Sequence, residues 1–182
     1  MKNKNIFAFV LLVFFYGSLF SQSVPGQVFG IYGGSQSDHG GMIVTAPNGG
    51  FLLLGETESY GNGIFDYPDV IAIRVDSEGK IVWQKTFGGQ GDEYIMDAIR
   101  TADNHYIILI QSFSFEQIVT GWIIKIDDSG NVIWQKALEY GLESLLTSMT
   151  EEMIDGTFVV AGGSGGAPSP VLIKMNADGN VL

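Results

Sequence analysis

The side chains that could engage a ligand are few, mostly acidic, and grouped after glycines. Asp38-His39 closes the piece YGGSQSDHG (32–40), and Asp92-Glu93 sits in FGGQGDEY (87–94). One inward-pointing carboxylate per unit would offer a ring of oxygens to a hard cation, and calcium takes about six to eight oxygen ligands. The competing role for such acids is to accept backbone hydrogen bonds within their own turns. Tyr60, Asp66, Glu116 and Glu143 lie in segments of varied length and complete the candidate binding set: Asp38, His39, Tyr60, Asp66, Asp92, Glu93, Glu116 and Glu143.

Other arrangements offer less. The Asp127-Asp128-Ser129-Gly130-Asn131 stretch superficially looks like a calcium loop. It lacks the spacing and terminal Glu of one, and reads as a hairpin turn. His39 and His105 are the only histidines and fall in different turns, which makes neither a metal site nor a triad. Glu56 and Glu58 share a strand face, but catalytic pairing needs a partner that the sequence does not supply. Trp83, Trp122 and Trp134 could stack a sugar or pack between sheets, and their strand positions favour packing. With no cysteine, disulfides, thiolate metal sites and a cysteine nucleophile are all excluded. No catalytic constellation emerges, so the chain is expected to be non-enzymatic and without a cofactor, calcium being the one candidate.

The elements that must position these residues repeat about every 50 residues. VDSEGKIVWQKTFGG (75–89), IDDSGNVIWQKALEY (126–140) and MNADGNVL (175–182) align, with turn glycines Gly79, Gly130 and Gly179. TAPNGGFLLLGETES (45–59) matches TADNHYIILIQSFS (101–114) and, more weakly, EMIDGTFVVAGGSG (152–165). The units run approximately over 28–82, 83–133 and 134–182. In the second, strands are expected at Ile95–Thr101, Tyr106–Ser112, Trp122–Asp127 and Val132–Leu138. Tyr-Ile-Ile-Leu-Ile is a continuous apolar run suited to burial on both faces, and Val-Ile-Trp-Gln-Lys turns polar like an edge. The expected fold class is all-β: an incomplete, β-propeller-like array of four-stranded antiparallel blades in about three repeats. A β-solenoid is the alternative. Alternating strand directions put the strand 4→1 and 2→3 loops on one face, where the candidate binding residues gather.

Lys2 and Lys4, the apolar run Ile6–Tyr16 and the small residues of Gly17–Ser21 read as an export signal over 1–21, with an uncleaved anchor as the alternative. Residues 22–182 would then be the secreted or cell-surface repeat region, with no membrane span after cleavage. Seven basic residues would remain against 20 acidic ones. That balance repels a phosphate backbone and argues against nucleic acid. Partners are expected to be an extracellular protein or a glycan.

The stretches WQKTFGGQGDEY (83–94) and WIIKIDDSGN (122–131) resemble the repeat of secreted bacterial β-propeller proteins, which often carry a C-terminal sorting domain. The third unit departs from the pattern, having lost its Gly-Gly-x-Gly-Asp segment, and no sorting domain is visible. The resemblance implies architecture rather than activity. Sialidase-type propellers carry Ser-x-Asp-x-Gly-x-Thr-Trp at the 3→4 turn; here Trp134 falls one residue late, and Arg74 and Arg100 are too few for their arginine cluster. Kelch units place their double glycine elsewhere than Gly33-Gly34 and Gly88-Gly89 do. Propellers typically close with about four to eight blades. The expectation is therefore a fragment of a longer propeller, or self-association through open blade edges. Functionally, the chain is expected to be a binding or scaffolding module. The alternatives are the front part of a secreted propeller enzyme, such as a hydrolase with its active residues elsewhere, or a decayed fragment.

Overall fold

The computed structural model describes residues 30–61, 67–115, 119–138, 144–164 and 169–182, and within them the fold is all-β. Strands β1 (Asp38–Thr45), β2 (Phe51–Thr57), β3 (Asp69–Val75) and β4 (Ile81–Phe87) form one antiparallel meander. Strands β5 (Glu93–Arg100), β6 (Tyr106–Ser112), β7 (Thr120–Ile126) and β8 (Val132–Leu138) form a second. Strands β9 (Ser144–Met149), β10 (Phe158–Ser164) and β11 (Ser169–Met175) form a third, in which an isolated bridge from Met175 to Val181 begins a further pairing. Each of the first two sheets ends on its own Trp-bearing strand, so they span 38–87 and 93–138, whereas the units read from the sequence break before that Trp.

The three sheets stack, and the alternation along each strand divides its side chains between neighbours. Leu52, Leu54, Val70 and Ala72 of the first sheet pack against Tyr106, Ile108, Ile110, Ile124 and Ile126 of the second. From the second sheet's other face, Ile107, Leu109 and Ile123 pack against Leu146, Phe158, Val160, Ile173 and Met175 of the third. β6 is thus apolar throughout because it has a sheet on each side. Every such side chain contributes roughly 1.5–3 kcal/mol of burial.

Each sheet's first strand carries a bulge. The register shifts between Gly40 and Met42, between Ile95 and Asp97, and between Leu146 and Ser148. A bulge breaks the ladder locally and sharpens the bend. At the second of these, the neighbouring sheet engages the strand directly: Ile95 N–H donates to Glu56 Oε1 at 3.1 Å. Glu56, one of the paired acids of the sequence, is therefore an inter-sheet acceptor.

The tryptophans do the same between the outer strands. Trp83 Nε1 donates to the Asp128 carbonyl at 2.8 Å, and Trp134 Nε1 donates to the Ala177 carbonyl at 3.0 Å. In both cases the indole lies over the left-handed glycine of the neighbouring turn, Gly130 (φ +75°) under Trp83 and Gly179 (φ +76°) under Trp134. Only a residue without Cβ lets the ring approach so closely at that backbone angle. Trp122 faces the first interface and meets Phe115 edge-on at 5.8 Å. Arg74 adds an ion pair to Asp128 at 2.8 Å, and Tyr106 donates to the same carboxylate oxygen at 2.8 Å.

Among the described residues, no helix is long and apolar enough to cross a membrane.

Candidate functional site

The register places the ends of β1, β2 and β3 together: Asp38 pairs with Thr57, and Thr57 with Asp69. In the second sheet Glu93 pairs with Ser112, and Ser112 with Thr120. The 4→1 and 2→3 loops leave from this end, as the alternation of strands requires.

Two of the candidate acids here are tied to the chain itself. Asp38 accepts from Gly34 N–H at 2.6 Å, from Ser59 Oγ at 2.8 Å and from the Thr57 hydroxyl. Glu93 accepts from Gly89 N–H at 2.9 Å and from Ser112 Oγ at 2.6 Å. The second hydroxyl of each set, Ser59 or Ser114, accepts from the loop amide of Gln36 or Gly91, at 2.9 Å in both. Every member recurs 55 residues on, Asp38 becoming Glu93, Thr57 Ser112, Ser59 Ser114 and Gly34 Gly89. The arrangement staples the glycine-rich loop to the end of the second strand. Glu93 is fully buried by it, while Asp38 keeps partial exposure. Burial pushes the Asp38 carboxyl up, but the Gly34 amide and the Thr57 and Ser59 hydroxyls outweigh it and hold the group below the usual carboxylate range.

The other candidates divide. His39 is exposed beside Asp38. Tyr60 donates to the Gly33 carbonyl at 3.0 Å and keeps an exposed ring. Asp92 accepts from the Tyr94 hydroxyl at 3.3 Å. Burial and the neighbouring Asp92 carboxylate raise the Tyr94 phenol above its usual value. Asp66, Glu116 and Glu143 lie outside the described residues. The Asp127 turn is a hairpin: its Oδ1 accepts from the amides of Ser129 and Asn131, both at 2.8 Å. Among the described residues no three His, Cys, Asp or Glu side chains converge as metal ligands would.

The sequence reading missed the aromatic character of this end. Tyr60, Tyr67, Tyr94 and Phe113 all belong to it by register, and each is between 38% and 44% exposed. Tyr94 and Phe113 meet edge to face, with centroids 6.1 Å apart and planes at 87°. The available signal was composition: these rings sit in loops or at strand ends, where core packing does not demand them.

A second concavity lies at the opposite end, where β1, β5 and the segment after β9 draw together. It has a volume of about 550 Å³, and Thr45, Arg100, Thr101, Asn104, Glu151 and Glu152 contribute its polar lining. Glu152 accepts from the Ala102 amide at 2.6 Å, tying the third sheet's turn to the second's. Beside it, Asp103 lies 3.0 Å from Lys125 Nζ and 2.9 Å from His105 Nδ1. Burial raises the Asp103 carboxyl, but the Thr101 hydroxyl and Lys125 ammonium prevail and hold it well below the usual range.

No known protein family matches the chain, and no curated protein matches it. Among solved structures it is similar to a protein of unknown function from Bacteroides caccae, with a TM-score of 0.53 and 11% identity over 81% of this chain. The match takes in 46% of that protein, so this chain spans about half its length. At that identity the likeness concerns the fold alone.

Proposed function

We propose that this chain is a propeller-like array of antiparallel sheets, exported to the cell surface or secreted, that acts as a non-enzymatic binding module for a glycan. The observation that carries the reading is the group of half-exposed rings at the loop end: Tyr60, Tyr67, Tyr94 and Phe113. Aromatic rings offer flat apolar faces, and tyrosine adds a polar tip. A sugar ring presents C–H bonds on one face and hydroxyls at its rim. The Tyr94–Phe113 contact fixes two of the rings in advance, which lowers the cost of ordering them on binding. Asp92 and His39 supply hydrogen-bonding groups nearby in the register.

Screening residues 22–182 against a glycan array, followed by calorimetric titration of the best ligand, tests this. Tyr94→Ala is expected to weaken binding about tenfold, the equivalent of ~1.4 kcal/mol. Arg100→Ala, in the recess at the far end, is expected to leave it unchanged. Absence of any glycan ligand would overturn the reading. So would binding lost in Arg100→Ala and kept in Tyr94→Ala.

A further inference from the structure

The third sheet lacks what the other two have. β3 and β7 each carry a fourth strand along their outer edge, β4 and β8. β11 holds the equivalent position, and among the described residues its edge is engaged only near Met175 and Lys174, by Val181 and Leu182. From Ser169 to Ile173 no strand lies beside it. Its outward face is open too: Leu172 is 75% exposed, whereas Leu52, Leu54 and Ala72 on the corresponding face of the first sheet are fully covered.

The opposite end of the stack has the complementary surplus. Gly33-Gly34 precedes the Asp38 staple as Gly88-Gly89 precedes the Glu93 staple. Counting back, Tyr32 stands where Phe87 ends β4, and Ile31 where Thr86 stands. Tyr32 also behaves as a fourth-strand aromatic toward the next sheet. It packs on the first sheet's outer face with Ile71, Ile73 and Val75, and its hydroxyl donates to the Gly79 carbonyl at 2.7 Å. Yet Ile31 beside it is 90% exposed. The segment before Gly33 is thus placed as the end of a fourth strand with no sheet of its own.

We propose that a second copy of this chain joins these two ends, the segment before Gly33 of one copy pairing with β11 of the other. This rests on the propeller-like reading above. The register of β3 with β4, Val70 opposite Phe87 and Ile71 opposite Thr86, carries over to Pro170 opposite Tyr32 and Val171 opposite Ile31. The first sheet's outer face then covers Leu172, continuing the stacking already made twice within the chain. Head-to-tail contacts of this kind close into rings when the rotation permits. Two copies of three sheets give about six, inside the range in which such rings close.

The chain has no cysteine, so introduced thiols report cleanly. Residues 22–182 are expected to run at twice the monomer mass in light scattering at tens of micromolar. Ile31→Cys with Val171→Cys is expected to give a dimer crosslinked at both junctions on mild oxidation, while Ile43→Cys with Val171→Cys gives none. Leu172→Lys, at an exposed position, is expected to return the mass to that of the monomer with an unchanged far-ultraviolet spectrum. A monomer of the unaltered protein with intact strand spectrum overturns the assembly. A dimer that fails to crosslink at 31–171 overturns this geometry. Glycan binding and the small-angle scattering profile of the monomeric Leu172→Lys variant read the propeller-like binding module separately.

Discussion

Gly130→Ala isolates the contribution of the tryptophan clasp, because the same backbone angle occurs elsewhere without a ring above it. Gly130 has φ +75° and Gly156 has φ +76°. A Cβ on Gly156 would meet only the Ala177 methyl, at 3.9 Å, which is ordinary contact. A Cβ on Gly130 would lie 3.0 Å from Cη2 and 3.1 Å from Cζ2 of Trp83. Gly156→Ala therefore carries the left-handed penalty alone, about 1–2 kcal/mol. Gly130→Ala carries that penalty and either the displacement of the indole or its loss, an overpacking cost of about 1–3 kcal/mol more. Lys85 Cδ is also 3.0 Å away, but a lysine stem can swing aside. Trp83→Phe removes the two indole atoms in question, together with the hydrogen bond to the Asp128 carbonyl. The cost of Gly130→Ala measured in that background should fall back to about that of Gly156→Ala. Urea unfolding of the four variants and the double mutant supplies the free energies. Equal costs for Gly130→Ala and Gly156→Ala, or strict additivity with Trp83→Phe, would refute the clasp as an energetic unit.

Two further outcomes concern the staples. Glu93→Ala leaves the Gly89 amide and the buried Ser112 hydroxyl without their acceptor, and is expected to cost about 3 kcal/mol in urea unfolding. Asp38→Ala, at the partly exposed staple, should cost less, and the opposite order would count against burial as the deciding factor. The Asp38 carboxyl is held below its usual value in the folded chain, so its contribution is present above the unfolded value near 3.9 and is lost as pH falls through the folded one. Asp38→Asn is expected to flatten the decline of melting temperature as pH falls below about 4, and an unchanged pH profile would show that the staple does not depend on the charge.

The strands with continuous apolar runs were legible in the sequence, and β6 and β8 fall on the expected residues, Tyr106–Ser112 and Val132–Leu138. β5 starts at Glu93 rather than Ile95, and β7 at Thr120 rather than Trp122. Both errors have one cause. A buried carboxylate and a Thr-Gly pair carry no apolar signal, and what buries Glu93 is a hydroxyl 19 residues away and a loop amide. The bulges were equally invisible, since an unpaired residue is defined by its partner strand and not by its own side chain. The tryptophans were ambiguous between stacking a ligand and packing. The indole N–H bonds to Asp128 and Ala177 place Trp83 and Trp134 within the stack.

The staples also limit the kind of recognition the loop end can offer. Asp38 and Glu93 were the acids best placed to grip a ligand, and their oxygens are occupied by hydroxyls and amides of the chain itself. What remains outward is ring surface with a few polar tips, and a handful of half-buried rings holds a single sugar weakly. Weak contacts become effective when several act at once within reach of one another. Strands in every sheet alternate in the same order, so in a ring built from two copies all the stapled ends emerge on one side. The aromatic groups of both copies would then face the same surface, and an array of identical glycans would be met twice for each ring. The rigid clasp between sheets would fix the spacing of the two groups, so affinity for a clustered ligand should depend on the dimer interface even though no interface residue touches the sugar.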